Sequence, residues 1–109
     1  MSGATRVGWL RYGGWVSSTE RSWTFLSNHG HVLVLVAREP GVLLSELSQR
    51  VGITERAART ILRDLEAAGY LSRTKVGRRN RYQVHPDGPL RHPEESTAMV
   101  SDLLAIFPR

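Results

Sequence analysis

The spacing of apolar residues changes several times along the chain, and each change marks a predicted element. Between Trp23 and Pro40 lies an unbroken apolar run, Val32 to Ala37, preceded by Ser27 and Asn28 and closed by Pro40. The β-branched Val32, Val34 and Val36 suit a strand on propensity. The cap residues, the proline stop and the length favour a buried helix. In VLLSELSQRVG, residues Leu44, Leu47 and Val51 recur at helical spacing; Ser45 is the expected cap and Gly52 the expected left-handed terminus. In ITERAARTILRDLEAAG, Thr54 caps, Glu55 sits in the first turn and Gly69 ends the helix. Two capped helices separated by only Gly52 and Ile53 must turn sharply.

After Gly69 the period shortens. YLSRTKV and RYQV flank the turn residues Gly77 and Asn80, which predicts a β-hairpin with a basic tip. Tyr82 and Val84 point one way, whereas Leu71 shares its parity with Arg73 and Lys75. A hairpin packed at its base and projecting at its tip has that mixture. HPDGPLRHP, with three prolines in nine residues, predicts a stiff linker. Pro93, followed by Glu94 and Glu95, predicts a helix running to about Phe107. Its apolar residues Met99, Val100, Leu103, Leu104, Ile106 and Phe107 form a face too wide for one small domain to cover. A partner helix is the expected cover, which makes Met99, Val100, Leu103, Leu104 and Phe107 the predicted dimerisation residues. Residues 1–22 show no sustained period but carry Trp9, Tyr12 and Trp15, and are expected to form an N-terminal arm.

At about 100° per residue, the helix from Thr54 to Ala68 separates into two sides. Ala57, Ala58, Ile61, Leu65 and Ala68 fall together, and Arg56, Arg59, Thr60 and Arg63 fall opposite. Three arginines on an isolated helix are usually a solvated face. Here they follow a tight turn between capped helices and precede a basic hairpin, as in a helix-turn-helix that enters a major groove. The charge agrees. The chain has a net charge of +5, and the stretch from Ile53 to Arg81 carries all of it, with eight basic residues against three acidic ones. An excess confined to one region is the footprint of a polyanion partner.

Other chemistries are poorly supported. Cysteine is absent, which excludes disulfides, thiolate zinc sites and cysteine nucleophiles. The longest apolar run is six residues, far short of the ~20 of a membrane span. Arg11 and four glycines interrupt the N-terminus, so no signal peptide is expected. His29 and His31 do not share a helical face, and His85, Asp87 and His92 are read as surface and turn residues in the linker. No Ser-His-Asp order, paired carboxylates or glycine-rich phosphate loop is present. The sequence therefore predicts no catalytic residues, no metal ligands and no cofactor.

From about Trp23 to His85, and above all in LLSELSQRVGITERAARTILRDLEAAGYLSRTKVGRRNRYQV, the chain resembles the winged helix-turn-helix of MarR- and ArsR-type transcriptional regulators. The resemblance implies the order helix, small strand, helix, recognition helix, β-hairpin wing. It places the recognition helix at 54–68 and the wing at 70–84. Base contacts would fall to Arg56, Arg59 and Thr60, and wing contacts to Arg78, Arg79 and Arg81. Departures are a single predicted C-terminal helix where a typical MarR protein has two, and the absence of the cysteine pairs of metal-responsive ArsR proteins.

The expected fold is α+β and mostly helical: a three-helix core with a β-hairpin wing and an added C-terminal helix. Residues 23–85 would form the DNA-binding domain, and 86–109 the linker and dimerisation helix. The expected function is sequence-specific binding of double-stranded DNA by a homodimer in the cytoplasm, on the nucleoid, without a membrane partner. The recognition-helix set is Thr54, Glu55, Arg56, Arg59, Thr60 and Arg63; the wing set is Arg73, Lys75, Arg78, Arg79, Asn80 and Arg81. The competing class is a winged-helix module for protein interaction or RNA binding. No residue pattern identifies a small-molecule effector.

Overall fold

The computed structural model describes residues 22–107; nearly all of the expected N-terminal arm, with Trp9, Tyr12 and Trp15, lies outside the described residues. The apolar run after Ser27 is a helix, α1 (Asn28–Arg38), and the Ser27 hydroxyl accepts from the Gly30 N–H at 3.3 Å. Five consecutive residues of α1, Val32 to Val36, are buried, so this helix is surrounded rather than packed on one side. Pro40 follows the last turn, as expected of a residue that lacks the next donor.

The second helix, α2 (Leu44–Val51), begins one residue earlier than Ser45 would place it. Leu43 holds the N-cap position without a side-chain bond, while the Ser45 carbonyl accepts from the Ser48 hydroxyl at 2.9 Å. Burial of Leu47 fixes this register, and the capping preference of serine does not override it. The third helix, α3 (Glu55–Ala67), buries Ala58, Ile61, Leu62 and Leu65. Leu62 joins the expected stripe, and Ala68, expected with it, is exposed.

Two strands follow, β1 (Leu71–Val76) and β2 (Arg79–Val84), paired antiparallel with Leu71 opposite Val84 and Val76 opposite Arg79. The turn is therefore Gly77–Arg78. Asn80, expected in the turn, pairs with Lys75 inside the ladder. Gly77 has φ +65°, the sign that a two-residue hairpin turn requires at its first position. Leu71 and Tyr82 seat the hairpin base on a core made by Val32, Leu33, Leu35, Val36, Val42, Leu47 and the buried residues of α3. Between α1 and α2 no strand forms, but the Tyr82 N–H donates to the Pro40 carbonyl at 2.9 Å, so this segment lies along the outer edge of β2. Helices followed by a two-stranded antiparallel hairpin make a winged helix, as the sequence predicts.

The C-terminal region departs from expectation. Instead of one helix from Pro93 to Phe107 there is a 3-10 turn at Pro93–Glu95 and a short helix, α4 (Val100–Leu104). Residues 86–90 do not form a free linker. The Leu90 N–H donates to Ala98 O at 3.0 Å, Val100 N–H to Gly88 O at 2.8 Å and Ser101 N–H to Pro86 O at 3.0 Å. This pairing consumes the backbone groups that a continuous helix needs. Gly88 permits it, because a Cβ there would stand 2.9 Å from the Tyr70 ring. Val100, predicted to face a second subunit, is 0% exposed in the core of its own chain. Its neighbours turn outward to different degrees: Leu103, Leu104 and Phe107 are half-buried, and Met99 and Ile106 are exposed.

Val100→Ala is expected to lower unfolding free energy by about 2 kcal/mol, the loss of two methyl groups from a fully buried site. Ile106→Ala, at a side chain 68% exposed, should change it by less than about 0.5 kcal/mol. Urea titration of the two variants measures the difference, and equal midpoints would show that α4 is not part of the core.

Candidate nucleic-acid interface

The direction of α3 is fixed by its first residues. Gly52 has φ +87°, and the carbonyl of Ser48 accepts from both Gly52 N–H and Ile53 N–H, at 2.8 and 2.9 Å. A left-handed residue that closes one helix this way turns the chain out of the helical path at once. Two residues later the Thr54 hydroxyl accepts from Ala57 N–H at 3.0 Å, which starts α3. Glu55 occupies the first turn, where a carboxylate complements the helix dipole. At the other end Gly69 has φ +86°; Gly69 N–H donates to Glu66 O and Tyr70 N–H to Leu65 O, and β1 leaves from there.

With Ala58, Ile61, Leu62 and Leu65 facing inward, Arg56, Arg59, Thr60 and Arg63 are all exposed. The Thr60 hydroxyl donates to the Arg56 carbonyl at 3.1 Å, so it is tied to its own helix. The three guanidinium groups point away from the core.

Strand register divides the wing residues. Cross-strand partners share a face of the ribbon. Arg73 opposes Tyr82, and Lys75 opposes Asn80, so Arg73, Lys75 and Asn80 lie on the face whose base is seated on the core. Arg79 and Arg81, opposite Val76 and Thr74, lie on the other face. A cleft between α3 and the wing is lined by Arg59, Arg63, Arg73 and Asn80 over Leu44, Leu62 and Tyr82. Four predicted contact residues thus converge on it. On the far face, Arg79 Nη2 donates to the Gly41 carbonyl at 2.8 Å. Arg78 occupies the exposed tip.

Two of the three acidic residues of α3 are occupied elsewhere, and Glu55 stays at its first turn. Asp64 Oδ2 lies 2.9 Å from His29 Nε2 on α1, and Glu66 Oε1 lies 3.5 Å from Arg73 Nη2 on β1. Glu39 is paired with Arg50 at 2.8 Å. Among the described residues, Arg56, Arg59, Arg63, Lys75, Arg78 and Arg81 form no salt bridge. The result is an exposed arc of net positive charge, with Glu55 at its N-terminal end. His29 and Gly41 have no sequence signal for these parts: their partners lie 35 and 38 residues away.

The linker residues considered as metal ligands are separately engaged. His85 Nε2 lies 2.6 Å from the Ser72 hydroxyl, and His92 Nδ1 accepts from Glu94 N–H at 3.1 Å. Among the described residues no group of three His, Asp or Glu side chains gathers as a metal site. No helix among them is long and apolar enough to cross a membrane.

Residues 27–72 match the family model described as winged helix-turn-helix DNA-binding. That segment, completed by the hairpin, has the winged helix-turn-helix fold. Among solved structures, the chain is similar to a MarR-family protein of Mycobacterium tuberculosis in complex with salicylic acid. The identity is 30% and the TM-score 0.47, over 55% of this chain and 47% of that one. It is also similar to the zinc-dependent MarR-family transcriptional regulator AdcR in its Zn(II)-bound state, at 26% identity and TM-score 0.45. That match covers 60% of this chain and 47% of the other. The matched region spans about half the length of each. No curated protein sequence matches the chain significantly.

Thr54→Ala should cost about 1 kcal/mol by removing the cap of α3. In a domain of this size the melting temperature would fall by about 4–8 °C. Thr54→Ser, which keeps the oxygen, should stay near wild type; thermal unfolding followed by circular dichroism compares them.

Proposed function

We propose that this chain is a transcriptional regulator that binds double-stranded DNA sequence-specifically. The observation that carries the reading is the exposed row Arg56, Arg59 and Arg63 on α3, with Asp64 and Glu66 paired to residues outside it. In this reading α3 enters the major groove, where guanidinium groups pair bidentately with guanine O6 and N7. Arg59 and Arg56 are the base readers, with Thr60 beside them. Arg63, Arg73, Lys75 and Asn80 hold the phosphate backbone alongside, and Arg78 reaches flanking backbone or minor groove from the wing tip. Such contacts position the protein on the duplex, while the base edges supply the discrimination.

The regulator acts as a homodimer in this proposal, with two copies of α3 in successive major grooves and occupancy changing polymerase access. Apolar surface near both ends of the described chain supports it. Trp23 and Phe25 are 78% and 93% exposed and stack edge to face, and Ile106 is 68% exposed. Leu103, Leu104, Met99 and Phe107 remain seam residues in this proposal; Val100 does not. A soluble cytoplasmic setting follows from DNA as the partner.

Two measurements test the reading. The affinity for a duplex selected from random sequence should fall with salt by about 0.9 in log K per log unit for each phosphate neutralised. A flat dependence would remove the electrostatic basis of the proposal. Arg59→Ala should cost about 1–3 kcal/mol on the selected duplex and relax the preference at one base pair. Arg78→Ala should weaken selected and random duplexes equally. Sedimentation of the full chain at micromolar concentration tests the dimer, and a monomer there would overturn it.

A further inference from the structure

Arg79 carries the same charge as the other wing arginines but is placed differently. Its position in β2 is opposite Val76, at the outer end of the ladder and on the face turned away from α3. Its Nη2 reaches back to the Gly41 carbonyl at 2.8 Å. Gly41 is held in place on both sides: Pro40 accepts from Tyr82 N–H, and Val42 is buried in the core with its own N–H on Glu39 O at 3.0 Å. The acceptor is therefore a fixed point of the body.

A two-stranded hairpin on its own is marginal in water. Here the base is seated by Leu71 and Tyr82, but Lys75 to Arg81 are all exposed. The last backbone bond from β2 to the body is Tyr82 N–H to Pro40 O. Arg79 lies three residues further out, about 10 Å along a strand at ~3.3 Å per residue. It is the outermost tie between wing and body among the described hydrogen bonds, one residue from the tip. Arg81, on the same face, passes over Gly41 as well, 3.8 Å from where a Cβ would stand.

We infer that Arg79 is a positioning residue that holds the wing at a fixed angle to α3, and that it makes no phosphate contact itself. The inference concerns how the wing serves the DNA-binding site and rests on the function proposed above. It separates two arginines adjacent in sequence. Arg78 meets the nucleic acid, and Arg79 meets the protein.

The experiment compares Arg79→Ala with Arg78→Ala in the full chain, first without DNA and then with it. In the free protein, hydrogen exchange of the amides from Thr74 to Tyr82 should accelerate about fivefold in Arg79→Ala, the equivalent of one net hydrogen bond. Arg78→Ala should leave it unchanged. With DNA, the salt slope should drop by about 0.9 in Arg78→Ala and stay at the wild-type value in Arg79→Ala, although affinity falls in both. Unchanged exchange in Arg79→Ala, or a salt slope lowered as in Arg78→Ala, would overturn the inference. If the wild-type chain binds no duplex at all, the proposed function fails, and the exchange comparison still decides whether Arg79 holds the wing.

Discussion

At Gly52 the backbone adopts φ +87°, and the presentation of the basic surface depends on that residue and the two after it. An L side chain in that region costs roughly 1 kcal/mol or more, so glycine is the residue that ends α2 there cheaply. Thr54 then restarts the helix by accepting from Ala57 N–H. Because the turn is so short, α2 and α3 have almost no freedom to rotate about their axes. Leu47 on one side and Ala58, Ile61, Leu62 and Leu65 on the other must meet in one core with α1. Once they do, Arg56, Arg59 and Arg63 have nowhere to go but outward.

The two exposed arginine–carboxylate pairs and the exposed His29–Asp64 contact contribute little to stability, since surface pairs are typically worth 0–1 kcal/mol. What they change is the sign of the surface. His29 on α1 and Arg73 on β1 draw Asp64 and Glu66 to the flanks of α3, so no paired carboxylate screens its central row. Desolvating an arginine that already has a carboxylate partner costs interaction energy before any phosphate or base is reached. The row on α3 starts without that debt.

Much of the winged core was legible because its signals are local. Ser27, Thr54, Gly52, Gly69 and Gly77 each act within a few residues of themselves, and each stands where capping and turn chemistry predict. The C-terminal region was not legible for the opposite reason. Residues 93–107 contain no proline or glycine after Pro93, and their apolar spacing suits a helix. What breaks it is pairing with Pro86, Gly88 and Leu90, together with a vacant core position that only Val100 fills. Within the basic region, charge, order and the two faces of the wing were visible, but the cross-strand partners were not. A turn over Gly77–Asn80 would pair Val76 with Arg81 and Lys75 with Tyr82, whereas the two-residue turn pairs Val76 with Arg79 and Lys75 with Asn80. A shift of two keeps each side chain on its face and moves it along the ribbon, because the side-chain period of a strand is two.

Val100 also bears on how the domain would work as half of a pair. A dimer joined by a flexible hinge tolerates half-sites at many separations, because each half swings independently. Here the segment leading to Leu103 and Phe107 is pinned to the winged core by a fully buried valine and by backbone bonds to Gly88 and Pro86. Two copies meeting through that segment would behave as a rigid caliper with welded jaws. One base pair added between half-sites shifts the second by about 3.4 Å and turns it by about 35° around the duplex axis. A caliper of this kind would not open to follow, so under the proposed function the spacer between half-sites would be as strict a part of the recognised sequence as the bases assigned to the arginines.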